Sequence, residues 1–507
     1  MEALNEPRRY SVVFIGFMGA GKSRTLRRAR AAGWEVADTD AMLEDELGMP
    51  IAEYFEREGE AEFRRREEEV ALRVLGRADG GAVALGGGAV LSERTRRALS
   101  GHAVVWLPVS SEVAWERVTR KGGRPLANDR EAFERLHAER ESLYAELASA
   151  RMFWAESASG DYPAFVGGGI LMADLWPLPG RRFSITDSNV AAIYGNAIDP
   201  SGDAEDLERR GVRPAAGLIE IAPGEGSKTM AEAERVLREL ANEGMTRGDH
   251  IAAVGGGVVG DLAGFCAATY QRGVPVAQFP TSLVAQVDSA YGGKTGVDIP
   301  EAKNYVGAYH QPAAVIADVA ALATLPAEEL RAGFTEVLKT ALLAGGELWE
   351  RVRALEEINP AALADIVFAC ARFKAAVVAE DERDTGRRQI LNLGHTVGHA
   401  IEAASGYDRY RHGEAVGLGL LAALRLSDAA ELRAEVAEAL ARHELPTTLD
   451  DDVAAEAIAA AIERDKKATA EGPRFVLLAE PGSPITGERV DPARVRAAVD
   501  ELRQATP

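Results

Sequence analysis

Short apolar runs alternate with longer amphipathic stretches over the first 157 residues. Ser11–Gly16, Ala82–Leu85 and Ala103–Leu107 are mainly apolar, which predicts strands that are buried on both faces. The stretches between them have apolar residues at helical spacing, and one helix is predicted from about Lys22. Strands and helices in this order are typical of a parallel sheet covered by helices.

The alternating pattern resumes after a small, polar junction at residues 155–163. Phe183–Asp187 and Ile251–Val254 are further predicted strands, each near a glycine-rich turn. From about Leu325 onward, Ala, Leu and Glu recur at helical spacing and strand signals are few. We therefore predict an α/β protein with a parallel-sheet domain at 1–157, a Rossmann-like α/β domain at 158–324 and a mostly α-helical domain at 325–507.

Length, charge and cysteine content narrow the class of protein. A chain of 507 residues is too long for one ordinary core. Its net charge of -21 disfavours binding to nucleic acid or anionic membranes, so we expect small-molecule substrates. The two cysteines are far apart, the first ten residues are polar, and no apolar run reaches membrane-spanning length. These features predict a cytoplasmic protein.

A phosphate-binding loop follows the first predicted strand. The sequence GFMGAGKS at residues 16–23 fits the pattern G-x-x-x-x-G-K-[ST] between a strand and a helix. The main-chain N–H groups of a glycine-rich loop and of a helix N-terminus bind phosphate. The lysine can neutralise charge on the β- and γ-phosphates, and the serine hydroxyl can ligate Mg²⁺. The alternative is a glycine-rich turn with a chance Lys-Ser pair. The predicted ATP contacts are Gly19, Ala20, Gly21, Lys22, Ser23 and Thr25.

Two aspartates, Asp38 and Asp40, follow the next predicted strand. If that segment is extended, their side chains point the same way, because side chains alternate along a strand. One carboxylate could support the Mg²⁺ shell and the other could hold a substrate hydroxyl. We assign Asp38 to the Mg²⁺ shell, together with Ser23, and Asp40 to the substrate. The alternative is a solvated acidic turn.

The first segment resembles shikimate kinases. The motifs GFMGAGKS, DTD, EAEFRxxE from residue 60, GGG at 86–88, RPL from residue 124 and RxxxY from residue 140 occur in that family's order. The resemblance implies a P-loop kinase that phosphorylates the 3-hydroxyl of shikimate with ATP and Mg²⁺. It implies catalytic roles for Lys22, Asp40 and Arg124, with Arg124 in a mobile lid over ATP. The implied shikimate contacts are Asp40, Arg64, Gly86, Gly87, Gly88 and Arg140.

A second glycine-rich loop, Gly255–Asp261, follows the predicted strand Ile251–Val254. Glycines at a strand end let the backbone approach a pyrophosphate closely. Two polar segments after apolar runs strengthen this interpretation, one containing Glu225 and Lys228 and the other Thr281 and Ser282. The sequence therefore predicts a dinucleotide site.

A histidine cluster indicates a metal site. His395 and His399 are four residues apart, so they share a helix face, and His412 follows in HGE. Histidines with a carboxylate suit Zn²⁺ or a similar ion, although chance clustering of structural histidines is the alternative. Cations such as Lys294 and Lys339 suit a substrate phosphate, against the alternative of solvated surface residues.

From about residue 161 to near the C-terminus the chain resembles 3-dehydroquinate synthases. The motifs GGGVVGDLAGF, QVDSAYGGKTGVD, KNYVGAYHQP, AGFTEVLK, DERDTG, LNLGHTVGHAIE and HGEAVG occur in family order. The resemblance implies Glu336, His395 and His412 as ligands of Zn²⁺ or Co²⁺, and catalytic roles for Lys294, Arg388 and His399. It also implies a homodimer through this half, in which Arg272 reaches the phosphate in the neighbouring subunit. The implied NAD contacts are Asp187, Asn189, Glu225, Lys228, Gly257, Val258, Val259, Gly260, Asp261, Thr281, Ser282, Lys294, Lys303 and Thr324. The implied substrate contacts are Asp288, Lys294, Asn304, Lys339, Lys374, Arg388, Asn392 and Arg272.

The two resemblances together imply two steps of the shikimate pathway, which leads to chorismate and the aromatic amino acids. The second half would convert 3-deoxy-arabino-heptulosonate 7-phosphate to 3-dehydroquinate and phosphate with catalytic NAD⁺. Other enzymes act between the two steps, so we expect fusion to fix a one-to-one ratio rather than to channel intermediates. The rival interpretation is a kinase of another acceptor, or a module that only senses ATP, fused to a polyol dehydrogenase.

Overall fold

The fold centres on a single sheet of eleven strands. The computed structural model describes residues 11–77, 80–121, 129–199, 215–468 and 473–504. The sheet order is β2-β3-β1-β4-β5-β6-β13-β10-β9-β7-β8, and two separate hairpins pair β11 with β12 and β14 with β15. The strands are β1 Val12–Ile15, β2 Val36–Asp38, β3 Ala82–Ala84, β4 Ala103–Trp106, β5 Ala150–Ala155, β6 Tyr162–Gly167, β7 Arg182–Asp187, β8 Ala215–Ile221, β9 His250–Gly255, β10 Val276–Pro280, β11 Lys294–Ile299, β12 Ala302–Tyr309, β13 Ala314–Asp318, β14 Phe475–Leu478 and β15 Pro484–Glu488.

Helices cover the sheet and build most of the chain after residue 325, which confirms the predicted α/β class with a helical C-terminal region. Among the residues that the structure describes, seven α-helices precede β8, two lie between β8 and β10, and eight follow β13. They are α1 Lys22–Ala31, α2 Thr39–Leu47, α3 Ile51–Arg77, α4 Glu93–Leu99, α5 Ser111–Lys121, α6 Arg130–Leu147, α7 Ser188–Ile198, α8 Met230–Asn242, α9 Gly257–Thr269, α10 Ala327–Ala344, α11 Gly346–Arg353, α12 Pro360–Glu380, α13 His395–Ala404, α14 His412–Leu426, α15 Ala430–Arg442, α16 Ala455–Ala468 and α17 Pro492–Glu501.

A hairpin, β5–β6, makes one sheet out of two sets of parallel strands. β5 runs parallel to β4, with Val105 opposite Ala150, and antiparallel to β6, with Ala155 opposite Tyr162. β6 in turn runs parallel to β13. Strand direction therefore reverses at this hairpin, and the carboxyl ends of the two sets lie at opposite edges of the sheet. The loop after β1 and the glycine loop after β9 are thus on opposite edges.

The two halves share apolar packing as well as the sheet. One buried cluster joins Phe14 and Leu26 of the first half to Phe165, Met172 and Ile316 of the second. Burial of this area stabilises both halves together, since apolar surface contributes roughly 25 cal/mol per Å² removed from water. The predicted junction at 155–163 is the hairpin turn and its flanks, and the sheet continues through it without a break. The domain boundaries given above remain predictions.

The helices after residue 325 pack around a core of their own. Phe334 and Leu338 of α10 and Leu418 and Leu421 of α14 are completely buried in it. Among the residues that the structure describes, no helix is long and apolar enough to cross a membrane.

Candidate active sites

The phosphate loop lies between β1 and α1, as its sequence predicts. Gly16 has φ +148, and a Cβ there would lie 2.8 Å from the main-chain oxygen of Leu107, so only glycine fits this close approach. Lys22 Nζ donates to Gly16 O at 2.6 Å, which holds the ammonium over the loop. Gly21, at φ 98, ends the loop and precedes the first residue of α1. The helix N-terminus and the ammonium therefore face the same loop, as phosphate binding requires.

Asp38 lies beside the loop but is not part of an extended acidic segment. Ser23 Oγ donates to Asp38 Oδ2 at 2.7 Å, so the two predicted Mg²⁺ residues do meet. Asp38 caps α2, because its Oδ1 accepts from the main chain of Asp40 at 3.2 Å. Asp40 is inside that helix, so the segment is not extended as far as Asp40, and the condition under which both side chains would point the same way is not met. The N-cap preference of aspartate wins over continuation of the strand.

Asp40 instead lies beside the glycines at 86–88, which Arg64 also approaches. A Cβ on Gly86 would lie 2.6 Å from Asp40 Oδ1, and one on Gly88 would lie 1.8 Å from Arg64 Nη1. Arg64 Nη1 donates at 2.5 Å to Glu67 Oε2, and Glu67 is 5% exposed. Burial raises the pKa of Glu67, and Arg64 opposes this rise. Glu67 was not among the predicted residues, although its place one helical turn after Arg64 is the signal for this pair.

Arg140 of α6 reaches the same glycine segment. Its Nη1 donates to Gly87 O at 3.4 Å, and Tyr144, one turn later, donates to the same oxygen at 2.6 Å. Arg140 is 4% exposed, and arginines are seldom so buried unless they are paired. The structure does not bring Thr25 to the phosphate loop's surface, because Thr25 is fully buried and its hydroxyl accepts from Trp154 Nε1 at 3.2 Å. Arg124 lies outside the described residues.

The predicted dinucleotide site is a cavity of about 1640 Å³ beside the carboxyl ends of β7 and β9. α9 begins at Gly257, so its N-terminus faces the cavity. Lys228 is 3% exposed and its Nζ lies 2.8 Å from Asp261 Oδ2. Of the predicted NAD contacts, the lining includes Asp187, Asn189, Glu225, Lys228, Gly257, Val258, Val259, Asp261, Thr281, Ser282, Lys303 and Thr324.

Two of the predicted NAD contacts lie elsewhere. Gly260 is inside α9, where a Cβ would lie 2.9 Å from Gln278 Oε1, and it does not line the cavity. Lys294 lines the neighbouring, smaller cavity and pairs with Asp384. Lys303 does line the large cavity, and its Nζ lies 4.3 Å from the ring centroid of Tyr407.

The three predicted metal ligands converge. Candidate ligand atoms of Glu336, His395 and His412 all lie within 4.8 Å of one another. His395 Nε2 is 3.5 Å and His412 Nε2 is 3.4 Å from Glu336 Oε1. α10, α13 and α14 supply one ligand each, so the site is built only when these helices pack. His399 lines the large cavity, with its ring centroid 5.3 Å from that of His395.

The chemistry of this cluster fits a divalent metal. Glu336 is 1% exposed, and neither carboxylate oxygen takes a well-directed hydrogen bond from the described residues, though Lys339 Nζ lies 2.5 Å from Oε2. Burial opposes the charge, but Lys339 and the histidines outweigh it and hold the pKa of Glu336 well below its ordinary value. Burial, followed by Lys339, lowers the pKa of His395, so its lone pair stays free for a metal.

One further carboxylate orients the third ligand. Glu402 is 6% exposed, and its Oε2 lies 3.5 Å from His412 Nδ1, which leaves Nε2 directed at Glu336. A carboxylate behind a metal-binding histidine is the common arrangement that fixes the tautomer. Sequence reasoning missed Glu402, although its spacing of three from His399 on one helix was available.

The second cavity, of about 600 Å³, adjoins the metal cluster and is lined by both basic and acidic side chains, Lys294, Lys339, Lys374 and Arg388 together with Asp261, Asp288, Asp384 and Glu336. Asp288 links two buried lysines: its carboxylate contacts Lys374, and its Oδ2 lies 3.2 Å from Lys339 Nζ. Burial, then Arg388, lowers the pKa of Lys374 to about 7. Among the predicted substrate contacts, the lining includes Asp288, Lys294, Asn304, Lys339, Lys374, Arg388 and Asn392. Arg272 is not in the lining and has a left-handed φ of 73.

The first site therefore defines a P-loop phosphotransferase, and the second an enzyme with a dinucleotide cavity, a metal centre and an adjoining cavity lined by basic and acidic side chains. Family models described as 3-dehydroquinate synthase N-terminal and C-terminal match residues 218–332 and 333–468, and the shikimate kinase model matches 18–161. The chain belongs to the 3-dehydroquinate synthase family and carries a shikimate kinase domain before the synthase.

Individual relatives agree with this assignment. The 3-dehydroquinate synthase of Symbiobacterium thermophilum is 40% identical over 360 residues, which is 68% of this chain and 98% of that protein. That of Caulobacter vibrioides is 42% identical over 335 residues, covering 62% and 88%. A solved structure of 2-epi-5-epi-valiolone synthase from Streptomyces hygroscopicus, with NAD⁺ and Zn²⁺ bound, has a TM-score of 0.60 at 26% identity, covering 67% of this chain and 96% of that one.

Proposed function

We propose that this chain catalyses two reactions of the shikimate pathway, phosphorylation of the 3-hydroxyl of shikimate and formation of 3-dehydroquinate from 3-deoxy-arabino-heptulosonate 7-phosphate. The observation that carries the proposal is the pair of separate sites, each uniting a cofactor-binding loop with arginines or lysines suited to an anionic substrate. The identity of 40% over nearly the whole length of a 3-dehydroquinate synthase supports the second reaction.

In the kinase site, we assign the ATP phosphates to the loop at 16–23 and Mg²⁺ to Ser23 and Asp38. Asp40 accepts the proton of the attacking hydroxyl, for which its place beside Gly86 and close to Glu67 is suited. Arg64 and Arg140 hold the shikimate carboxylate, because planar guanidinium groups match carboxylates. Glu67 holds the Arg64 guanidinium in place for this contact.

In the synthase site, we assign NAD⁺ to the large cavity and Zn²⁺ or Co²⁺ to Glu336, His395 and His412. A metal bound there would lower the pKa of substrate hydroxyls. Lys374 and Arg388 bind the negative groups of the substrate in the smaller cavity. The two cavities share Asn304 and His412 in their linings, so a substrate in one can reach a nicotinamide in the other.

We also infer a homodimer and a cytoplasmic location. Arg272 does not line the smaller cavity of its own chain, which is consistent with a role at the phosphate of a second subunit. Both cysteines, Cys266 and Cys370, are buried and free, as expected in a reducing compartment.

One purified sample tests both activities. With ATP and shikimate we expect ADP formation, and with the heptulosonate phosphate we expect phosphate release without net NADH. A polyol dehydrogenase would instead accumulate NADH. Identification of the cyclic product by NMR separates 3-dehydroquinate from the product of another cyclase. No ADP, or net NADH, would refute the corresponding half of the proposal.

A further inference from the structure

The turn between β5 and β6 is held by the phosphate-loop helix of the kinase half. Asp161 in this turn forms an ion pair with Arg28 of α1. Arg28 also lies over Trp154 of β5, with Cζ 4.0 Å from the ring centroid. Trp154 Nε1 donates to Thr25, one turn earlier on α1. The turn is therefore fixed relative to α1 by contacts at both of its ends.

On its other side, the same turn holds Glu382 of the synthase half. Ser159 donates twice to this carboxylate, from Oγ to Oε1 at 2.5 Å and from N to Oε2 at 3.2 Å. Gln311 Nε2 donates to Oε1 at 3.2 Å. Burial opposes the charge of Glu382, but these hydrogen bonds, led by that from Ser159, lower its pKa below the ordinary value. The Glu382 carboxylate is therefore ionised and accepts hydrogen bonds from the turn.

Glu382 in turn orients Arg388. Arg388 Nη1 donates to the main-chain oxygen of Glu382 at 2.8 Å, and Arg388 is 2% exposed in the lining of the substrate cavity. Its guanidinium has little room to find another position, because a Cβ on Gly292 would already lie 2.6 Å from Nη2. Movement of the Glu382 main chain therefore removes an acceptor that Arg388 cannot easily replace.

We propose that Ser159 and Glu382 are positioning residues for Arg388, so that the turn joining the two halves contributes to substrate binding by the synthase. Neither residue lines the smaller cavity, in which the substrate is proposed to bind, and both act through the guanidinium of Arg388. The inference rests on the proposed synthase function. If Ser159 positions Glu382, the kinase half supports the synthase site structurally, although the phosphate loop and the glycine loop after β9 lie on opposite edges of the sheet.

Ser159→Ala and Glu382→Ala test this proposal, with Ser157→Ala as the matched control. Ser157 is in the same turn, but its hydroxyl donates to Gly160 O at 2.7 Å rather than to Glu382. Loss of hydrogen bonds to a charged group should raise the synthase KM for the heptulosonate phosphate about 3- to 10-fold, with kcat changed less than about twofold. The kinase rate of the same samples should stay at the wild-type value. Amide hydrogen exchange over residues 381–392 should be faster in both variants and normal in Ser157→Ala.

Wild-type KM and wild-type exchange in both variants would overturn the proposal. A parallel loss of kinase activity would also overturn it, because that result indicates general unfolding rather than positioning. Failure of the proposed function is visible separately, since wild-type protein would then release no phosphate. In that case the exchange comparison alone decides whether the turn holds the 381–392 segment.

Discussion

Gly88→Ala should weaken the binding of shikimate to the kinase half without unfolding the protein. Gly88 has ordinary backbone angles, φ -98 and ψ -11, so alanine is allowed there. The new Cβ would lie 1.8 Å from Arg64 Nη1 and 2.5 Å from its Cζ. Because the obstacle is the end of a flexible side chain, the guanidinium moves and the backbone does not.

The size of the effect follows from the contact that is lost. Displaced Arg64 leaves its bond to Glu67 and can no longer align with a substrate carboxylate. A hydrogen bond to a charged group contributes about 1.5–3 kcal/mol, so the shikimate KM should rise roughly 10- to 150-fold. The KM for ATP should change little, since the hydrogen bonds given for Arg64 go to Glu60 and Glu67. Gly101→Ala is the control, because nothing lies within 4 Å of its Cβ.

The assay is ADP release at varied shikimate, with phosphate release by the synthase half as the internal check of folding. Arg64→Ala and the double variant complete a cycle, and the double variant should be no worse than Arg64→Ala alone. A shikimate KM within twofold of wild type, with normal turnover, would refute the role given to Arg64.

Four other changes test the remaining assignments. Glu336→Gln should lower bound Zn²⁺, measured by mass spectrometry, from about one ion per chain to nearly none, while ADP release is kept; full zinc retention would contradict the ligand set. Ser23→Ala should raise the Mg²⁺ concentration needed for half-maximal kinase rate several-fold, about 3- to 10-fold, and an unchanged requirement would argue against this site. Asp249→Asn should lower the melting temperature at pH 7, because hydrogen bonds from Arg181 and then Thr246 depress the folded-state pKa of Asp249 against the effect of burial. That stabilisation is present above the unfolded pKa of about 3.9 and is lost as pH falls through the folded value, so the difference should shrink in acid; a constant difference would refute it. A fragment of residues 1–157 should aggregate, or show reduced folding by circular dichroism, because it leaves the edge of β5 without β6 and exposes Phe14 and Leu26, which pack against Phe165 of the second half.

The fragment bears on why the two enzymes are fused. A fixed one-to-one ratio remains our hypothesis, and a large loss of rate when the halves are separated would argue against it. The structure supplies a second cause for such a loss, since both halves share β5 and an apolar core. Rates of separated halves must therefore be compared only after each fragment is shown to fold.

The local sequence was sufficient to predict those parts of the sites that are built from consecutive residues. The phosphate loop, the helix that follows it and the glycine loop before Asp261 were predictable, because turn geometry and helix N-termini are properties of a few consecutive residues. Resemblance to known families then supplied Glu336 and Arg388, which no local pattern marks. Thr25 shows the limit of this approach, since its burial against Trp154 depends on a strand more than a hundred residues away.

The sequence by itself determined the two chemistries of this protein, because the cofactor loops and most ligands lie in short, contiguous motifs. Only the tertiary structure decided that Asp40 belongs to a helix and that the two sets of parallel strands join into one sheet at the β5–β6 hairpin. It also decided that Glu67 contacts Arg64 and that Glu402 contacts His412. The physical reason is that such contacts join segments far apart in the chain. Their free energy depends on burial and distance, which packing alone sets.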